Sequence, residues 1–149
     1  GDWSSDVCSS DLDIKKSTDL HISHYDGWKE EDEKLYESLS QYSGKYIEIL
    51  KEYFGYDATQ KCPIINDSGY QIQRTMEGEG YTWHSDEWDS PVPDAVIGPH
   101  QALSYRFATY IFYLNDEFEG GRTQFRFKDD IYSITPKQGM LLLFPATNF

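Results

Sequence analysis

"GEGYTWHSDEWDS", residues 78–90, is the stretch on which the reading of this chain turns. A glycine-flanked turn runs into an extended segment, and His84 and Asp86 stand two residues apart. In a β-strand such residues point the same way. A strand over 81–86 would therefore put Thr82, His84 and Asp86 on one face, with Tyr81 and Trp83 on the other. Imidazole plus carboxylate suits a divalent first-row metal, and two histidines with one carboxylate leave positions open for substrate and oxygen at iron(II). Spacing alone does not discriminate, because His24-Tyr25-Asp26 repeats it. That copy lies just before a helical pattern, where Asp26 is expected to cap the helix or complement its positive end.

Upstream, Leu35, Tyr36, Leu39, Tyr42, Tyr46, Ile49, Leu50 and Tyr53 recur at steps of three and four with charges between them. This predicts a helix over 28–54, continuous or broken near Ser43-Gly44. Downstream the texture changes to short strands at 70–75, 81–86, 104–115, 123–127, 131–135 and 140–144. Turns fall at 77–80 and 136–139, and Pro91, Pro93, Gly98 and Pro99 mark a loop over 87–103. Consecutive short strands with no long helix among them argue an antiparallel sandwich or barrel under a helical cover, an α+β chain.

The 149 residues are one domain's worth of chain. Twenty-six acidic against 13 basic residues give a formal charge of -13, which repels phosphate backbones and anionic membranes, so neither nucleic acid nor membrane is the expected partner. Two cysteines, Cys8 and Cys62, make neither a disulfide framework nor a thiolate metal site. No apolar run approaches the roughly 20 residues of a membrane span, and no secretory signal is seen, so a cytoplasmic location is expected. Residues 1–12, GDWSSDVCSSDL, read as a non-native or disordered leader, 13–62 as the N-terminal helical segment, and 63–149 as an incomplete core that stops just after an apolar strand.

Three segments taken together, GEGYTWHSDEW (78–88), RFATYIFYLNDEFEGGRTQFRF (106–127) and ITPKQGMLLLFP (134–145), resemble the iron(II)- and 2-oxoglutarate-dependent oxygenases, in the prolyl 4-hydroxylase-like branch. The resemblance rests on order and spacing. Gly-x-Gly-Tyr precedes His-x-Asp, then come Arg-x-x-Thr-x-x-x-Tyr-Leu-Asn, Gly-Gly-x-Thr-x-Phe, and Pro-x-x-Gly before an apolar strand. It implies a double-stranded β-helix core, jelly-roll and cupin-like, with its last strands missing. It makes His84 and Asp86 iron ligands, and implies a third ligand, a histidine, beyond Phe149, followed by a basic residue for the distal carboxylate of 2-oxoglutarate. With two of three ligands, the chain as it stands is expected to be inactive.

On the cosubstrate side the resemblance implies Tyr113, as a donor to the 2-oxoglutarate tail, and Thr75, which stands where many relatives carry a tyrosine nine residues before the first ligand. Arg106 falls behind the ligands or toward substrate. Tyr113 reads equally as a core ring with a satisfied hydroxyl. Gly120-Gly121 serves a tight passage between strands. The implied cofactors are Fe(2+) with 2-oxoglutarate, and L-ascorbic acid as an accessory. The implied reaction is a dioxygenase's hydroxylation of an unactivated carbon in a prolyl residue or small molecule, so the partner is a small-molecule or peptide substrate. A carboxylate at position 86, rather than Ala or Gly, points to hydroxylation instead of halogenation.

Two rivals remain at this level. A cupin metalloenzyme needing no cosubstrate adds a histidine two residues after the first, but here that position is Asp86, and 88–94 offer no histidine. A non-enzymatic jelly-roll binding module would use His84 and Asp86 only as hydrogen-bonding groups at a cavity rim. His21, His24 and His100 read as solvent-facing or capping residues. The sequence sets no oligomeric state.

Overall fold

In a computed structural model describing residues 8–9, 15–61, 67–86 and 106–146, the helical periodicity becomes one helix, α1, Lys29–Phe54. It passes through Ser43-Gly44 without a break. Glu30, Glu31 and Asp32 in its first turn and Lys51 in its last complement the helix dipole. Its other end stops at Gly55, where φ is +64°, and the amides of Gly55 and Tyr56 return to the carbonyls of Lys51 and Leu50. Asp26 is not its cap. It opens a single 3-10 turn, Asp26–Trp28, and no side chain caps α1 at Trp28.

The strands are β1 (Cys8–Ser9), β2 (Lys15–Lys16), β3 (Thr18–His21), β4 (Gln71–Arg74), β5 (Gly80–Tyr81), β6 (Ala108–Phe112), β7 (Thr123–Phe127), β8 (Asp130–Ile134) and β9 (Leu141–Pro145). A short helix, α2 (Ala58–Lys61), follows α1. The chain divides into two compact units, 1–84 and 85–149. Strand pairing accounts for where the first unit ends. β3 pairs antiparallel with β4, and β2 with β5, which ties residues 15–21 to 71–81. The segment expected to be helical over 13–62 therefore opens with two strands, and Cys8–Ser9, in the stretch read as a leader, pairs with β3.

In the first unit the core is Ile22, Leu39, Leu50, Ala58 and Tyr70. Only a narrow stripe of α1 is covered, and Tyr36, Tyr42, Ile49 and Tyr53 are exposed. The 3-10 turn Ile22–His24 docks by a backbone bond from Ile22 to the Tyr70 carbonyl (3.0 Å), and the Ser23 hydroxyl accepts from the Tyr70 amide (2.7 Å) and bonds to Asp32. Gly69 allows this approach: its φ is +81°, and a Cβ there would lie 3.0 Å from the Ser23 side chain. Gly69→Ala combines positive-φ strain with that contact and is expected to cost about 1–3 kcal/mol, read as a lowered urea midpoint at unchanged slope. A midpoint equal to wild type would show that this approach is not constrained.

Asp57 joins the end of α1 to α2. It pairs with Lys51 (2.8 Å) and accepts from the amide and hydroxyl of Thr59 (3.1 and 2.6 Å). The Lys51 ammonium, helped by Thr59, pulls its carboxyl down to about 2. A folded-state value below the unfolded one gives stability that is present above about pH 4 and is lost as pH falls toward 2. Asp57→Asn is expected to flatten that part of the pH dependence of the urea midpoint and leave the curve above pH 5 parallel to wild type. An unchanged acid limb would remove the pair from the account.

In the second unit β6 and β9 form one antiparallel ladder, and β7 and β8 form a hairpin turning at Lys128-Asp129, with Lys128 at φ +55°. The register sets Thr109 beside Phe144 and Ile111 beside Leu142. By alternation these share one face, and it meets the hairpin where Phe125 packs edge-on against Phe144 (4.9 Å, 64°). The opposite face carries Tyr110 and Phe112, also in edge contact. Both faces are half-buried, which is why the sequence here runs apolar without alternation. The architecture is mixed helix and small antiparallel sheets, and no closed barrel forms among the described residues.

Candidate functional site

The strand that was to present His84 and Asp86 is short. β5 ends at Tyr81, the chain bends at Trp83, and 82–86 make no ladder. The Tyr81 and His84 rings stack at 3.6 Å between centroids and 23° between planes. Extended backbone sends residues three apart to opposite faces, so this stack requires the bend, and the expectation that Tyr81 and Trp83 share a face away from His84 fails. Two local contacts outweigh strand geometry here: the ring stack, and a 2.7 Å bond between His84 Nδ1 and the Thr82 carbonyl. Lys15 stands 5.7 Å from the Tyr81 ring and adds to this cluster.

The Thr82 contact has a chemical consequence. A carbonyl only accepts, so Nδ1 carries the proton, and the neutral ring then bears its lone pair on Nε2. Orienting one nitrogen through a backbone carbonyl on the other is how proteins prepare an imidazole for a metal. His84 is exposed. Thr75, also exposed, follows β4 and accepts from Gln73 Nε2 at 3.3 Å.

Within the second unit, Asp86 is half-buried, and its Oδ2 accepts from the Thr109 hydroxyl at 2.7 Å. Arg106 comes within 3.5 Å of the Asp86 carbonyl, a long contact, and Ser85 donates to the Ala146 carbonyl at 3.3 Å. Residues 85 and 86 are thus tied to one end of the β6–β9 ladder, where the start of β6 meets the end of β9. Tyr113 continues that ladder, its amide bonding to Met140 and its carbonyl accepting from Gly139 (3.0 and 2.8 Å). Its half-buried hydroxyl pairs with the Thr123 hydroxyl on β7. Thr109, Ile111 and Tyr113 lie on alternate positions, so the strand face that holds Asp86 also leads to Tyr113.

Thr109 belongs to the motif seen in the sequence, but nothing local announces that its hydroxyl reaches back 23 residues to Asp86. Thr123 also belongs to a motif seen in the sequence, Gly-Gly-x-Thr-x-Phe, and likewise nothing local announces its pairing with Tyr113. Gly121 keeps the passage into β7 tight, with φ +59° and Phe118 against its α-carbon side. The loop 87–103, with His100 and the acidic residues Glu87, Asp89 and Asp94, lies outside the described residues. Among those described, no three of His, Cys, Asp and Glu gather at one place. The donor chemistry fits a divalent first-row ion: an imidazole with its tautomer set and a carboxylate turned by a hydroxyl donor.

A family model for the 2OG-Fe(II) oxygenase superfamily matches residues 70–149, more than half of the chain. No curated protein and no solved structure gives a significant match.

Proposed function

The chain belongs to the 2OG-Fe(II) oxygenase superfamily, and from that membership we propose that it is a hydroxylase of the prolyl 4-hydroxylase-like branch, with His84 and Asp86 as two of its iron ligands. The family uses iron(II) and 2-oxoglutarate. Bound together, these supply the oxidative chemistry: one atom of dioxygen ends in the substrate hydroxyl and the other in succinate, as 2-oxoglutarate loses carbon dioxide.

The remaining work belongs to the residues of this chain. His84 is held by Thr82 with Nε2 as its basic nitrogen, and Asp86 is held by Thr109. The Tyr113–Thr123 hydroxyl pair is suited to donate to the cosubstrate, and by the family resemblance Thr75 is a further cosubstrate-side group and Arg106 one behind the ligands or toward substrate. In this reading the ladders of the second unit would be part of a double-stranded β-helix, and the half-buried apolar strands β6 and β9 would exclude water from the reacting carbon. The substrate is a prolyl residue in a peptide or a small molecule. L-ascorbate serves to keep the iron reduced. The charge of -13 disfavours nucleic acid as partner, and among the described residues no helix is long and apolar enough to cross a membrane.

One observation carries the reading: the carboxylate of the His-x-Asp motif is gripped by the strand face that ends in Tyr113. The full-length protein, given iron(II), 2-oxoglutarate, ascorbate and air, is expected to form succinate. Under anaerobic conditions, iron(II) with 2-oxoglutarate is expected to give a visible absorption that neither gives alone. A protein with neither signal is a binding module or an enzyme independent of the cosubstrate.

A further inference from the structure

Asp86 has no strand to orient it. Residues 82–86 form no ladder, so the carboxylate's direction depends on what its side chain touches. We propose that Thr109 is a positioning residue, whose hydroxyl holds the Asp86 carboxylate in the rotation from which it ligates metal. This rests on the iron-site reading of Asp86.

Three observations support the role. The 2.7 Å bond from Thr109 to Oδ2 is a hydroxyl donating to a carboxylate, a charge-assisted contact stronger than one between neutral groups. The donor stands on a rigid base: Thr109 pairs with Phe144 inside the β6–β9 ladder, and its branched Cβ restricts the hydroxyl to few rotamers. Two neighbouring contacts reach the same end of the ladder, the Ser85 side-chain hydroxyl to the Ala146 carbonyl beyond β9 and, at a long 3.5 Å, the Arg106 side chain to the Asp86 carbonyl. The sheet therefore supplies the orientation that an extended strand would have supplied by parity.

The test is manganese(II) affinity of the full-length protein, followed by the electron paramagnetic resonance signal of the unbound ion, without cosubstrate. Thr109→Val keeps the shape and removes the donor, and its dissociation constant is expected to rise about 10–100-fold. Thr109→Ser restores the hydroxyl and is expected to return within about threefold of wild type. Should the valine variant fail to fold by circular dichroism, Thr109→Ala supplies the same comparison. Wild-type affinity in the valine or alanine variant, or a serine variant as weak as valine, overturns the proposal. Asp86→Asn separates the two claims. If it leaves manganese binding unchanged, the iron-site reading falls and Thr109's role with it; if it weakens binding while Thr109→Val does not, only the role of Thr109 falls. In the Asp86→Asn background, adding Thr109→Val is expected to change affinity by less than about twofold, because Thr109 acts through Asp86 alone.

Discussion

With His84 and Asp86 as the proposed iron ligands, Asp86→Ala is expected to lower succinate formation by the full-length protein more than about 100-fold, and His84→Ala to do the same. The magnitude follows from comparison: losing a residue that merely supports a metal ligand typically costs about 10–100-fold in affinity or activity, and losing the ligand itself removes both the bond and what the support was for. The fold should survive both changes. His84 is exposed, and what its removal forfeits includes the ring stack on Tyr81 and the local bond to the Thr82 carbonyl. Asp86 is half-buried, and its removal leaves the Thr109 hydroxyl without that acceptor, a cost of about 1 kcal/mol. Succinate assayed beside the circular dichroism spectrum separates lost chemistry from lost structure. Turnover within tenfold of wild type in either variant would place the iron ligands elsewhere.

Leu50→Ala is expected to have the largest effect on stability. Leu50 is 1% exposed, in the last turns of α1, and with Ile22 it is among the two largest fully buried side chains. Truncating such a leucine costs about 2–5 kcal/mol, part lost transfer energy and part cavity. In a chain of this size that lowers the melting temperature by roughly 5–20 °C. Tyr53, one turn on and 72% exposed, is the control, since Tyr53→Ala should change stability by less than about 0.5 kcal/mol. Equal effects at the two positions would mean that α1 does not dock through the Leu39–Leu50 stripe.

That stripe shows what was legible in the sequence and what was not. Spacing of three and four located α1 to within a residue at its start, because helical periodicity is a local property. It did not say which apolar positions would be covered, since Tyr36, Tyr42 and Tyr53 fit the same rhythm and face solvent. β7, β8 and β9 also fall close to their expected spans. The strands at 15–21 were hidden because their buried member is Asp19, matched by Lys15 at 2.6 Å and Ser17 at 2.8 Å, a polar core that hydrophobic pattern cannot reveal. The bend at Trp83 was missed for a related reason. Alternation assumes an extended chain, and a ring stack between Tyr81 and His84 overrode it. His84 and Asp86 stood out through motif order, whereas the residues that orient them, Thr82 through its backbone and Thr109 from a distant strand, needed the fold.

The edge-on contact of Phe125 with Phe144 bears on how this protein fails when heated. A two-stranded ladder is marginal by itself in water, and among the described residues the second unit contains two of them. Neither has a private core, so each is stable only while it leans on the other, and they should melt as a single cooperative block. The grip on Asp86 belongs to that block. Warming should therefore leave metal affinity intact up to a threshold and then abolish it within a few degrees, in step with amide exchange at Tyr110 and Phe125, like a latch that is either shut or open.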